Sequence, residues 1–222
     1  LFLAAGLPAS SSRDDNDHLV PIHRAHLCIT KGAIEEAAGS RMEVNVPEMR
    51  AVVAYPTEQV AEAKLTYVGP TSTDKPLGSG EIRRQFGLKL RAQNGCNLVY
   101  AMWRIEPKPG LVVSVKRNPG MSTHAQCGTQ GYHNIKPAHA SAVPRLKEEE
   151  DHTLRARMTG SNLHVFIDGR TVWEGDVGSK ALAFDGPVGI RTDNGRFKFE
   201  LLAVEAAGHG KDTPCHAADE DE

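Results

Sequence analysis

Apolar residues recur at every second position along much of this chain, and that period decides what it can fold into. Between Ile82 and Ala92, Phe86, Leu88, Leu90 and Ala92 fall on one side while Gln85, Lys89 and Arg91 fall on the other. A strand with one face in a core and one in water has this period, whereas a helix repeats near every third or fourth residue. The same alternation returns in Leu154, Ala156 and Met158 against Arg155 and Arg157, in Leu163, Val165 and Ile167, and in Phe197, Phe199, Leu201 and Ala203. The runs are separated by Gln93-Asn94-Gly95, Gly160-Ser161-Asn162, Asp168-Gly169 and Asp193-Asn194-Gly195, residues that accept the positive φ of tight hairpins. These signals predict an all-β fold, a two-sheet antiparallel sandwich of the jelly-roll kind. Its centre is a meander of Ile82–Ala92, Asn97–Ile105 and Leu111–Lys116. Only Thr57–Ala63 reads as a helix.

Composition sets the boundaries of this domain. At 222 residues, 40% hydrophobic and 24% charged, the chain can bury a sizeable core and has no long apolar run of the kind that crosses a membrane. It shows no internal repeat and no Gly/Ser-rich or Pro-rich linker, so one sandwich domain is expected over 18–210. Residues 1–17 are set aside as the remnant of a secretory signal or a disordered N-terminal segment, since Leu1 to Ser12 runs from apolar to small residues. Residues 211–222 form an acidic tail containing Cys215. The cysteines, Cys28, Cys96, Cys127 and Cys215, are even in number and include no CxxC pair, which favours disulfides over zinc and places the protein in an oxidising compartment. Cys96 with Cys127 is the preferred pairing because both flank one strand pair, and Cys28 then pairs with Cys215. A secreted, extracellular or periplasmic location follows.

The C-terminal third, from His152 through Asn162-Leu163-His164-Val165-Phe166-Ile167-Asp168-Gly169 to Val172-Trp173 and then Gly186-Pro187-Val188-Gly189-Ile190-Arg191, resembles the closing strands of concanavalin A-like lectin/glucanase domains. It is similar in particular to laminin-G-like jelly rolls and to sugar-hydrolase-like bacterial sandwich domains. The resemblance implies a fold more than an activity, because that superfamily includes lectins, hydrolases, lyases and adhesion modules. The Glu-x-Asp-x-x-Glu strand of laminarinase-type members is absent, as is the Gln-Ile/Val-His motif of alginate-lyase-like sandwiches. Calcium, held by many laminin-G-like domains, would need oxygens converging from loops, with Asp193 and Asn194 as the candidates. No other cofactor is expected.

Charge is distributed unevenly. Between Ile82 and Asn118 the chain carries eight basic residues and one acidic residue, although the whole protein has a net charge of −2. The wet face of the meander therefore supplies the candidate carbohydrate-binding set: Gln85, Lys89, Arg91, Trp103, Lys116 and Asn118. Amide and guanidinium groups bond hydroxyls or carboxylates, and an indole covers the apolar face of a sugar ring. The side taken by Trp103 stays open, because Leu98, Tyr100 and Met102 compete with Val99, Ala101 and Ile105 for the interior. The carboxylates Glu81, Glu106, Asp168, Glu174, Asp185 and Asp193 sit mostly in turns, and no catalytic residue is assigned. The histidines show no metal-ligand spacing. A pI near 6.6 and the lack of a binding motif argue against nucleic acid. The function expected is a lectin-like module for a glycan, anionic in its refined form. A polysaccharide hydrolase or lyase on the same face is the alternative, and a structural or adhesion protein the second. Oligomeric state stays open.

Overall fold

A computed structural model describes residues 18–207. The N-terminal segment and Cys215 with its acidic tail lie outside the described residues, and so does the expected Cys28–Cys215 pairing. Sixteen strands are present: β1 Val20–Ile22, β2 Leu27–Lys31, β3 Glu35–Glu36, β4 Met42–Val44, β5 Glu48–Val53, β6 Thr57–Pro70, β7 Arg84–Leu90, β8 Leu98–Glu106, β9 Gly110–Lys116, β10 Tyr132–Ile135, β11 His139–Ala140, β12 Asp151–Thr159, β13 Asn162–Ile167, β14 Arg170–Asp176, β15 Gly189–Asp193 and β16 Gly195–Glu205. A single-turn helix, α1, spans His124–Cys127.

The strands form two antiparallel sheets. One runs β11-β14-β13-β12-β6-β16-β4-β3, with β1 also paired to β16; the other runs β10-β9-β8-β7-β15-β5-β2. Between them lies one continuous core, to which the second sheet contributes Phe86, Leu88, Leu90, Val99, Ala101, Trp103, Val113, Val115 and Ile190, and the first Leu65, Leu154, Val165, Phe197 and Phe199. Phe86 meets Phe197 and Phe199 edge-on with ring centroids 5.2 and 5.8 Å apart, so the sheets lock together through aromatic contacts. The expected meander is β7-β8-β9, three adjacent antiparallel strands whose register shifts once, between Arg84 and Gln85.

The expected helix at Thr57–Ala63 is instead the start of β6, the longest strand, which pairs with β12 on one side and β16 on the other. Its Glu, Gln, Ala and Lys residues favour a helix locally. A ladder on each side and burial of Val60, Ala61, Ala63 and Leu65 outweigh that preference.

Cys96 and Cys127 form a disulfide, joining the start of β8 to α1. Asp168 and Asn194 take positive φ at the two predicted hairpin turns, where Asx residues tolerate the left-handed region better than others. Among the described residues no helix is long and apolar enough to cross a membrane.

Candidate functional site

The outer face of the second sheet is the floor of a cleft of about 740 Å³. Strand register assembles that floor. Lys89 of β7 lies opposite Tyr100 of β8, which lies opposite Ser114 of β9 and then Asn134 of β10. One rank along, Arg50 of β5 pairs with Arg191 of β15, followed by Gly87, Met102 and Val112. In the next rank Asp193 pairs with Gln85, and Gln85 with Arg104. Gly87 is required here: a Cβ would stand 2.4 Å from Met102 Sδ and 2.6 Å from the Ala101 carbonyl oxygen.

Loops distant in sequence wall the cleft. Leu77 to Ser79 stand on one side and Ser122 to Thr129 on the other, and a Cβ on Gly78 would come within 2.3 Å of Thr129 Cγ2, so the two walls touch. The first wall is held down by the buried Asn194 side chain, whose Oδ1 accepts from the Lys75 amide at 2.7 Å and whose Nδ2 donates to the Lys75 and Arg83 carbonyls at 2.8 and 3.1 Å.

Charge on this floor is lopsided. Seven lysine or arginine residues line the cleft against one acidic residue, Glu48. Glu48 is engaged by Lys75 at 3.0 Å, Lys31 at 3.3 Å and Arg50 at 3.7 Å, and these cations outweigh burial and hold its carboxyl below the usual range. Beneath the floor sits Asp193, fully buried. It accepts from Gln85 Nε2 at 2.5 Å, Arg50 Nη2 at 2.6 Å and Arg191 Nε at 2.8 Å. Burial alone would raise its pKa, but Arg191 and Arg50 overcome that and hold it well below the ordinary carboxylate value. Arg191 is in turn held above its ordinary value: burial opposes its charge, and Asp193 with the two tyrosines more than compensates.

Lys89 is compensated less, since Asp193 favours its charge but is outweighed. It is 5% exposed and lines the cleft, and among the described residues its ammonium has neither a hydrogen bond nor an ion pair. Burial, then the Arg50 and Arg191 charges, push its pKa well below that of a free lysine. Three atoms of other cleft-lining residues, Gln85 Oε1, Arg104 Nε and Arg83 Nε, are enclosed by protein without hydrogen-bond partners.

Two tyrosines crown the floor. Tyr132 stacks on Tyr100 with centroids 6.1 Å apart and planes 19° from parallel. Arg191 lies over the Tyr100 ring at 5.2 Å and donates from Nη1 to the Tyr132 hydroxyl at 3.3 Å, while the Lys116 ammonium stands 5.1 Å from the Tyr132 ring centre. Tyr100 is buried, which pushes its hydroxyl pKa up. For Tyr132 burial acts the same way, yet Arg191 and Lys116 overcome it and bring the phenol below its ordinary value.

Of the six residues expected at the site, Gln85, Lys89 and Lys116 line the cleft. Trp103 does not: it is fully buried in the core, with Nε1 donating to the Pro144 carbonyl at 3.2 Å. β8 is apolar on both faces, so parity alone cannot orient it, and the aromatic residue on its outer face is Tyr100. Arg91 is also displaced. It follows the last residue of β7 with φ 48°, which breaks the alternation and sends its Nε to the Ala181 and Phe184 carbonyls at 3.1 and 2.8 Å; Ala92 then joins Leu98, Tyr100 and Met102 outside the core. Asn118 fastens a loop, donating from Nδ2 to the carbonyls of Cys96 at 3.2 Å and Gln130 at 3.0 Å. The residues not anticipated from sequence, Arg50, Tyr100, Tyr132 and Arg191, come from four strands, three of them outside the meander.

The carboxylates considered for catalysis have other partners: Glu81 with Arg83, Glu106 with Arg84, Asp168 with His152, Asp185 with Arg91 and Glu174 with His139. Asp193 and Asn194, the calcium candidates, are spent on guanidinium groups and backbone, a donor set that does not fit a cation. Among the described residues no cluster of His, Cys, Asp and Glu is arranged to hold a metal.

No protein-family model matches the chain, and no curated protein matches its sequence. Solved structures do match. The carbohydrate-binding module CBM66 from Bacillus subtilis superposes with a TM-score of 0.52 at 13% identity, covering 78% of this chain and 91% of that one. The fold is the concanavalin A-like jelly roll. The metal-free Emp46p carbohydrate recognition domain matches at TM-score 0.50 and 10% identity over 81% of this chain and 88% of its own. A structure described with the endo-acting O-glycanases by which human gut microbiota initiate mucin breakdown matches at 0.50 and 10% identity over 85% and 95%. At these identities the likeness concerns the jelly roll alone.

Proposed function

We propose that this protein is a secreted carbohydrate-binding module whose cleft takes an acidic glycan. The observation that carries the reading is Lys89, an ammonium buried in the cleft floor among Arg50, Arg191 and Lys116 with no ion-pair partner among the described residues. An acid group on a sugar would supply that counter-ion, and the exposed Tyr132 ring would offer a stacking face. Two of the structures that share the fold are described by their carbohydrate binding, which supports the same ligand class. The disulfide supports an extracellular setting. An adhesion surface would be favoured by an exposed apolar sheet face, and this face is cationic.

The test is calorimetric titration with oligosaccharides of uronic acids and with neutral oligosaccharides of equal length, on the native protein and on Lys89→Met. Binding of the acidic set alone, weakened by about 10- to 100-fold in the variant, is expected for the loss of one charge-assisted contact. Equal binding of the neutral set, or no binding of either, would overturn the proposal.

A further inference from the structure

The cleft holds more than a binding site requires. An acidic sugar needs cations and hydrogen-bond donors, and Lys89, Arg50 and Arg191 supply them. Stacking would use the Tyr132 ring, but the paired phenol hydroxyls do not follow from that need. Tyr100 and Tyr132 stand one over the other, share Arg191, and are driven in opposite directions: Tyr100 is kept protonated by burial, and Tyr132, about two-fifths exposed, is made easier to ionise by Arg191 and Lys116. Neighbouring titratable groups with opposed environments mark acid–base chemistry.

We infer that the cleft cleaves uronate-containing chains by β-elimination, with the Tyr132 hydroxyl transferring the proton and the Lys89, Arg50 and Arg191 cations holding the carboxylate. The inference rests on the acidic-glycan reading given above. Proton removal from the carbon beside a carboxylate places negative charge on its oxygens, and cations fixed around them stabilise that charge as it forms. Tyr132 as phenolate takes the proton from C5. A double bond forms between C4 and C5, and the C4–O bond to the neighbouring sugar breaks. The proton on Tyr132 Oη then passes to the departing oxygen, which restores the phenolate. No water, metal, oxidant or reductant is consumed. Lys116 acts as a positioning group, and Arg191, whose Nη1 donates to the phenol oxygen at 3.3 Å, orients Tyr132 as well as holding the carboxylate. This set contains no carboxylate, which accords with the ion pairs that occupy the candidate acids.

The experiment uses homopolymers of galacturonate, of glucuronate and of mannuronate with guluronate, with a neutral glucan as control, and follows the ultraviolet absorbance of the unsaturated uronate together with binding. At least one acidic polymer is expected to give rising absorbance and the glucan none. Tyr132→Phe should lower the rate by about a hundredfold or more, the scale of one general acid–base group, while its melting temperature and affinity stay close to those of the native protein. Acidic polymers that bind with no new absorbance would overturn the elimination and leave the binding reading standing. New reducing ends without absorbance would indicate hydrolysis and also overturn it. An unchanged rate in Tyr132→Phe would remove Tyr132 from the mechanism. No binding to any polymer would overturn both readings.

Discussion

Lys89 shows how a single side chain can be unfavourable for folding and useful for binding. An ammonium largely withdrawn from water without an ion-pair partner is costly, and among the described residues Lys89 is such a group at the floor of the cleft. Its folded pKa lies below the unfolded value, so between the two the unfolded chain binds more protons and stability rises with pH. The penalty is therefore fully present below the folded value and disappears as pH approaches that of a free lysine. Lys89→Met removes it, and at neutral pH the variant should gain about 1–3 kcal/mol, since an apolar replacement of similar volume commonly stabilises such a site. At roughly 2–4 °C per kcal/mol, a thermal melt will resolve the gain. Titration in two buffers of different ionisation enthalpy offers a second reading: an acidic ligand raises the Lys89 pKa, so binding should take up protons at alkaline pH. A variant that melts lower than the native protein would mean that the ammonium already has a stabilising partner.

Elements turn such residues into a site, and the disulfide illustrates the coupling. Lys116 Nζ donates to the Gly95 carbonyl at 3.0 Å and the Gly128 carbonyl at 2.9 Å, and each of these residues adjoins a cysteine of the Cys96–Cys127 bridge. The bridge thus holds both acceptors of a buried ammonium as well as one wall of the cleft. Closing a loop of 31 residues contributes, by chain entropy, about 3–4 kcal/mol. Cys96→Ser with Cys127→Ser should melt lower by about 6–16 °C on the same scale and bind acidic oligosaccharides more weakly; unchanged affinity would show that the wall needs no staple. This element was visible from cysteine positions alone, as were the meander and the hairpins at Asp168 and Asn194, because period-two patterning and turn chemistry are local signals. β6 and β8 were not fully readable. The first has helix-forming residues and becomes a strand only through its neighbours, and the second is apolar on both faces, so the inward turn of Trp103 and the outward turn of Tyr100 depend on the sheet it packs against. Arg191 and Tyr132 escaped notice for a related reason. They reach Lys89 and Tyr100 through pairing between strands distant in sequence, and a single strand pattern carries no record of its partners.

At the scale of the whole molecule, a chain with a net charge of −2 presents a cleft lined by seven cations and one acid. The separation has a consequence for association. Low-dielectric walls around charges of one sign focus the field in the opening and draw an acidic chain toward it, whatever the total charge of the protein. Part of that attraction acts through solvent and is open to screening, since the screening length falls from about 10 Å at 0.1 M salt to about 3 Å at 1 M. The contacts on the floor, made to side chains already removed from water, are screened far less. Affinity for an acidic oligosaccharide should therefore fall over this range by roughly tenfold, an order-of-magnitude figure for long-range attraction lost while floor contacts persist. Most of the change should lie in the association rate, which stopped-flow quenching can follow at each salt concentration. The fold itself should be indifferent to salt, because Asp193 and its guanidinium partners are buried beneath the floor. If affinity is equally strong at both salt concentrations, the ligand is held by stacking and neutral hydrogen bonds, and the cations on the floor serve the sheet instead of the sugar.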